Sequence, residues 1–400
     1  MAFSFRPYLL TNKIQHYAWG ERGQSAYIAR LLGLQSVAAD TPFAELWMGT
    51  HPLGTSRVDA EDGQISLAEL VERYPAQVLG QRVAGKFGNR FPFLLKVLSA
   101  REPLSIQLHP SKGQAAVLHG RDAEHYPDDN HKPEIAIALD KLYALAGLEE
   151  PLLIERRVNS FTGLRDFLKF ETIAGQANQA YARLAFLALL RNAVEKPDEL
   201  ASVIDALVEK FDREAKYNKR GKSSYQARLF LEMNEKYPGD VGLLAIFFLK
   251  LRVLRKGQAM YIPAGIPHVY LEGNIVECMA SSDNVIRAGL TPKFKDIPAL
   301  LEVANERQPV LYSPETPYYL YSPPVSEFRV GRHELPAGKS FTDRNDGVRI
   351  LLVLRGRLRL VWQGGRLDVA RGQSVLLPGG LREVGVECLE TAELYTADVP

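Results

Sequence analysis

The sequence predicts a mainly β protein interrupted by a helical block and containing two copies of a β-sandwich or barrel. Three observations carry this reading. From residue 1 to about 147 the chain is rich in Pro, Gly and short apolar runs such as residues 91–98, the texture of strands and loops. From 149 to 236 the pattern changes: Leu200, Val203, Ile204, Leu207, Val208 and Phe211 fall at i, i+3, i+4, i+7, i+8 and i+11, one face of a helix. Third, residues 257–265 (GQAMYIPAG) align without gaps to 372–380 (GQSVLLPGG), each copy preceded by a basic residue. Both copies read as a turn, a four-residue apolar strand and a corner marked by Pro and Gly, and a repeated unit of this kind implies a duplicated β architecture.

Taken in order, residues 1–148 form the first part of a β domain. Residues 149–237 form a helical insert, with the Ala- and Leu-rich stretch 181–194 as a further helix and Tyr237-Pro238-Gly239 as its punctuation. Residues 238–315 complete the first β domain, and 316–400 form the second. A chain of 400 residues is long enough for two or three domains without disulfide or metal staples.

Composition excludes several functional classes. With 46% hydrophobic and 24% charged residues, the chain is neither disordered, collagenous nor a coiled coil. Forty-nine Lys+Arg against 47 Asp+Glu leave a net charge of +2, with no global attraction for nucleic acid or an anionic membrane. The two cysteines, Cys278 and Cys388, make no disulfide framework and point to a reducing compartment. The longest apolar stretch, 241–249, is half the roughly 20 residues a bilayer span needs, and the N-terminus shows no export signal. A cytoplasmic monomer is expected.

Three short segments carry chemistry. Ser105-Ile106-Gln107-Leu108-His109 alternates as a strand, placing Ser105, Gln107 and His109 on one face. In His131-Lys132-Pro133-Glu134-Ile135-Ala136-Ile137, Lys132 and Glu134 share a face while Ile135 and Ile137 point away. The corner 263–268 sets His268 directly after a rigid turn. Gln107, His109, Glu134 and His268 together make a shell for one divalent ion: two imidazoles, one carboxylate and an amide oxygen. That mixture points to Zn²⁺ while leaving Mn²⁺, Co²⁺ and Fe²⁺ open. One anionic ligand leaves the site a net charge near +1, available to polarise a hydroxyl or carbonyl. In the second copy Glu383 stands where His268 stands in the first, so the second β domain is expected to bind no metal. His16, His119, His125 and His333 are assigned to surface or loop positions, and nothing in the spacing of His51 or His131 makes them ligands.

These segments, with Tyr17-Ala18-Trp19-Gly20, the block 45–52 (ELWMGTHP), residues 92–98 (PFLLKVL) and the block 277–293 (ECMASSDNVIRAGLTPK), resemble type I phosphomannose isomerases, in family order over residues 12 to about 296. The last hundred residues resemble the family only in cupin-like character. The resemblance implies a cupin-type (jelly-roll) β-sandwich holding one zinc, a helical domain, a second cupin-type sandwich without metal, and interconversion of mannose 6-phosphate and fructose 6-phosphate. It assigns the metal to the four residues already selected and places Lys96, Lys132, Asp283 and Arg287 at the active site. Val269 stands where the family usually has Ala, an exchange of small apolar side chains expected to be silent.

Moving a proton between C1 and C2 of a hexose needs an open chain, a base, and positive charge at both oxygens of a cis-enediol(ate). A single four-ligand cluster favours this route over a two-metal hydride shift. Lys132 serves as base where burial and a metal favour its neutral amine; otherwise it forms a salt bridge to Asp128 or Asp129. Arg287, too strong a base to give up its proton, stabilises the enediolate or the phosphate. Asp283 either moves a proton or orients Arg287, and both readings stand. Lys96, inside an apolar run, needs a partner or an edge from which to reach solvent. Ser105 and Lys293 are candidates for the phosphate. Trp19 and Tyr270 either line the sugar pocket or belong to the core. The basic loop with Lys216, Lys219, Arg220 and Lys222 reads as solvated surface. Two rivals stand beside the isomerase: a dioxygen-activating metal cupin, which wants more histidines and no phosphate cations, and a sugar-phosphate sensor without turnover.

Overall fold

The computed structural model describes residues 3–60, 63–169, 180–217, 225–344 and 346–400. Lys219, Arg220 and Lys222 lie outside the described residues. The protein is mainly β, with two large antiparallel sheets and helices between the two halves of the first.

The first sheet is organised by the thirteen-residue strand His268–Ala280. Its second half lies between Phe93–Ala100 and Glu134–Ala138, and its first half pairs with Leu142–Leu148 and Ile106–Leu108. One strand serves both layers because it bends at Gly273, whose φ is +127°. A Cβ there would lie 2.7 Å from the Lys141 carbonyl oxygen, so the crossing needs glycine. Period-two alternation then sorts the side chains. Leu98, Ala136, Ala138, Ala144, Met260, Ile262 and Tyr270 turn inward to a narrow core. Leu95, Val97, Ile135, Ile137, Val276 and Cys278 turn outward and pack on Val330, Ile350, Leu352, Tyr395 and Ala397 of the second sheet.

The second sheet centres on Glu383–Asp398, between Arg329–Leu335 and Arg349–Trp362. Leu351, Val353, Leu360, Val375, Val386 and Leu394 fill its own interior. The sequence repeat is visible atom by atom. Gly257 and Gly372 have φ of +81° and +80°. The Gln258 side chain accepts from Arg255 N at 2.8 Å, and the Gln373 side chain from Ala370 N at 2.7 Å. The strands Ala259–Ile262 and Ser374–Leu377 follow in both copies. One pairing departs from the linear division of the chain. Tyr8–Thr11, counted with the first β domain, pairs with Ser374–Leu377 and so extends the second sheet. Pairing partners hundreds of residues apart leave no local trace in a four-residue strand.

Among the described residues, the helices Pro151–Asn159, Thr162–Leu168, Tyr181–Glu195, Pro197–Tyr217 and Tyr225–Lys236 follow the strand Leu142–Leu148. Leu200, Val203, Ile204, Leu207 and Phe211 are buried, the face the spacing selects. They belong to one apolar cluster with Ile106, Leu108, Val269, Leu271 and Ile286, so the helices cover the outside of the sheet that carries Gln107 and His268. Residues 241–249 are buried in that cluster, and no described helix is long and apolar enough to cross a membrane.

Candidate metal centre and active site

Three strands and a corner bring the predicted ligands together. Ile106–Leu108 lies with Gln107 opposite both His268 and Arg287 in the register. Glu134 opens its strand opposite Ile262, the last strand residue before the corner that delivers His268. Ligand atoms of His109, Glu134 and His268 lie within 4.8 Å of one another, and all three residues are buried.

The hydrogen bonds around this cluster decide what it fits. His109 Nδ1 lies 2.9 Å from the Asn284 carbonyl oxygen, and His268 Nδ1 lies 2.9 Å from that of Ile266. A carbonyl only accepts, so each Nδ1 carries a proton, and a neutral ring then presents its lone pair at Nε2. Those Nε2 atoms face Glu134 at 3.3 and 2.9 Å without a directed hydrogen bond. Burial pushes the His109 imidazole down to about 4, which keeps it neutral. Two imidazole lone pairs and a carboxylate converging away from water fit a cation, with the backbone carbonyls fixing the rings as outer-shell acceptors do at metal sites.

A buried relay of charges adjoins the cluster. The Tyr270 hydroxyl donates to Glu134 Oε1 at 3.2 Å. Tyr270 is therefore a bonded partner of the candidate metal carboxylate as well as part of the inner core. Lys96 Nζ lies 3.2 Å from Glu277 Oε2 and 3.3 Å from Glu45 Oε2, with the Trp47 ring 5.3 Å away. Burial alone would lower the Lys96 ammonium; Glu45 and Glu277 outweigh it and hold it protonated. Lys96 is thus a clamped cation inside the barrel, not an edge lysine reaching for solvent. Burial raises the Glu277 carboxyl despite Lys96.

Lys132 is 9% exposed and has no ion pair among the described residues, so the salt bridge to Asp128 or Asp129 does not form. Its charge acts on His109, Glu277 and Asp283. Asp128 instead stitches the loop ahead of Lys132 to the loop after His268–Ala280. Its carboxylate accepts from Asp283 N at 2.8 Å, its carbonyl from Asn284 Nδ2 at 2.7 Å, and Asn284 Nδ2 also donates to the Asn130 carbonyl. This stitching fixes the carbonyl that holds His109.

Asp283 Oδ1 accepts from His51 Nε2 at 2.8 Å, while His51 Nδ1 accepts from Leu53 N at 3.2 Å. His51 is therefore neutral and donating. Burial would raise the Asp283 carboxyl, but the His51 hydrogen bond holds it below its ordinary range. Arg287 is half-buried, and burial lowers its guanidinium against the field of Asp283. No hydrogen bond between Asp283 and Arg287 occurs. Trp19 packs against the inner cluster containing Tyr270, and its carbonyl accepts from Arg101 N at 3.0 Å. Ser105 is half-buried just before its strand, and Lys293 lies on an exposed turn; neither contacts the cluster.

Sequence reasoning missed four residues here: Glu45, His51, Glu277 and Tyr17, whose hydroxyl feels the charges of Glu45, Lys96 and Asp283. Glu277 carried a signal, a carboxylate between Val276 and Cys278 in the otherwise apolar stretch 275–280. Two histidine assignments are corrected: His119 lies half-buried within the helix Lys112–Arg121, its Nδ1 2.6 Å from the Tyr126 carbonyl oxygen. His333 is neither loop nor surface; it lies half-buried within Arg329–Leu335.

The catalytic-domain model of type I phosphomannose isomerase matches residues 8–150. The mannose-6-phosphate isomerase of Mus musculus is 36% identical over 93% of this chain and 95% of its own length. That of Homo sapiens is 37% identical over 88% of each. Among solved structures, a variant of phosphomannose isomerase from Salmonella typhimurium superposes with a TM-score of 0.83 at 28% identity, covering 98% of this chain and 99% of that one. A zinc-bound mannose 6-phosphate isomerase superposes with a TM-score of 0.81 at 28% identity over 98% and 99%.

Proposed function

This chain belongs to the type I phosphomannose isomerase family, and on that premise we propose that it interconverts mannose 6-phosphate and fructose 6-phosphate by proton transfer through a cis-enediolate. The observation that carries the reading is the pair of Nε2 atoms that face the Glu134 carboxylate in a buried site without a directed hydrogen bond. His109, Glu134 and His268, with Gln107 beside them, would hold one Zn²⁺. When bound, it supplies positive charge to polarise the substrate oxygens.

The chain's own residues take the other roles. Lys132, the buried amine with no ion-pair partner among the described residues, moves the proton between C1 and C2. Lys96 is committed to Glu45 and Glu277 and serves as a fixed positive charge beside the site. Arg287 neutralises developing oxyanion or phosphate charge. Asp283, held ionised by His51, relays a proton or accepts from a sugar hydroxyl. Trp19 and Tyr270 form the wall toward the inner core, and Ser105 and Lys293 reach the phosphate.

The same reading describes the chain as two cupin-type sandwiches and a helical domain: 1–148 with 238–315, 149–237, and 316–400. It places the protein in the cytoplasm as a monomer acting on a small sugar phosphate, with no nucleic-acid or membrane partner. Near-zero net charge and two free cysteines support that placement. Metal analysis with a coupled assay of fructose 6-phosphate formation tests the function. Stoichiometric zinc with turnover is expected; bound sugar phosphate without turnover in the zinc-loaded protein would leave a sensor instead.

A further inference from the structure

The second β-sandwich repeats the backbone plan of the first with a different set of charges. In the first, Ile262, which aligns with Leu377, faces Glu134, and the rung runs on through Met279 to Leu94. In the second, the rung Arg349, Asp398, Arg329 crosses Arg349–Trp362, Glu383–Asp398 and Arg329–Leu335. Arg329 Nε donates to Asp398 Oδ1 at 2.6 Å and Arg349 Nε to Asp398 Oδ2 at 3.0 Å, and Arg349 also pairs with Asp343. An acid between two cations thus stands where the first copy has the candidate metal carboxylate and two apolar residues.

This rung walls a cavity of about 460 Å³, within the range that holds small ligands. Inside it, the His333 ring lies 4.8 Å from Tyr318 and parallel to Phe341 at 6.4 Å between centroids. His333 Nε2 lies 3.3 Å from Thr396 Oγ1. Gly331 keeps the floor open: a Cβ there would stand 2.6 Å from Thr396 Oγ1 and 2.9 Å from His333 Nε2. Burial pushes His333 down to about 4, so it adds no charge. Arg329, Arg349 and Lys339 on the cavity wall thus oppose Asp343 and Asp398, an excess of one positive charge. Lys339 has no carboxylate partner among the described residues.

We propose that the C-terminal β-sandwich carries a second, metal-free binding site for a small anionic sugar, a sugar phosphate or a sugar acid, in this cavity. Ring faces suit the C–H faces of a pyranose or an open-chain polyol. Planar guanidinium and carboxylate pairs suit vicinal hydroxyls, and the surplus cation suits one acidic group. The site shares no residue with the His109, Glu134, His268 cluster, so its occupancy is separable from turnover.

Equilibrium dialysis of the full, zinc-loaded chain with labelled mannose 6-phosphate, and separately with gluconate, tests this. Two sugar phosphates per chain, or one gluconate, are expected. Tyr318→Ala and Thr396→Val, one exposed and one isosteric, should each weaken the second event at least tenfold with turnover unchanged. Competition by gluconate at the second event alone identifies a sugar-acid site, and its absence a sugar-phosphate site. Saturation at one sugar phosphate with no gluconate bound, or a second event that survives both variants, overturns the proposal. Loss of isomerase activity with the second event intact would defeat the catalytic reading and leave this one standing.

Discussion

Replacing Glu134 by glutamine separates the metal-loaded site from the empty one by opposite signs. The substitution keeps the shape, removes one negative charge and adds two N–H donors. Both imidazoles spend their Nδ1 protons on backbone carbonyls, so without a cation three acceptors face one another at 3.3 and 2.9 Å in a site 1% exposed or less. A buried polar group left unsatisfied costs about 1–3 kcal/mol. An amide N–H donated to His109 Nε2 recovers one such term, while the amide oxygen keeps the Tyr270 hydroxyl bond. We predict that the metal-free Glu134→Gln variant is more stable than metal-free wild type by about 1–2 kcal/mol, a rise in Tm of a few degrees. With zinc present the order reverses. Losing the one anionic ligand should cost at least about 100-fold in zinc affinity, beyond what loss of an outer-shell partner costs, and activity falls with it. The assay is a pair of melts, with chelator and with zinc, beside metal analysis and turnover. A variant that retains stoichiometric zinc and turns over within tenfold of wild type refutes the ligand assignment. A metal-free variant less stable than metal-free wild type refutes the argument from facing lone pairs.

Lys132→Met should keep stoichiometric zinc and lose about 10²–10⁴ in kcat, the range of a general base; turnover within a few-fold of wild type removes Lys132 from that role. Lys96→Met strands Glu45 and Glu277 without their shared cation and should cost about 3–5 kcal/mol in urea unfolding. The double variant Lys96→Met with Glu277→Gln should regain part of that loss, and a single variant as stable as wild type would show the network to be idle. His51→Phe removes the hydrogen bond that holds the Asp283 carboxyl below its ordinary range. The Asp283 pKa then rises, so the acidic limb of kcat/KM should move to higher pH while zinc content stays unchanged; an unmoved limb means that Asp283 need not be ionised.

How legible the molecule was in its sequence follows the range of the interactions involved. Amphipathic faces are local, so the buried side of Pro197–Tyr217 could be named residue by residue, as could the inward face of Gln107 and His109. Turn chemistry is local too, and the duplicated turn at Gly257 and Gly372 repeats down to its glutamine hydrogen bond. Residue chemistry narrowed the metal shell to four side chains because few groups present lone pairs on one strand face. The resemblance to a family then supplied the substrate, which no periodicity contains.

Only the tertiary structure decided which charges meet. Glu45, Lys96 and Glu277 stand far apart in the chain and converge through the pairing of three strands, so the partner that makes a buried lysine tolerable was invisible in its own segment. His51 reaches Asp283 across 232 residues, and Asp128 reaches Asn284 across 156. The same reason separates His333 from the loop positions assigned to it and sets it in a second cavity, and it carries Tyr8–Thr11 into the C-terminal sheet. Periodicity and propensity act over a few residues and fix which side chains face inward. Which inward faces are brought together depends on strand register, and register is settled by the packing of the whole sheet.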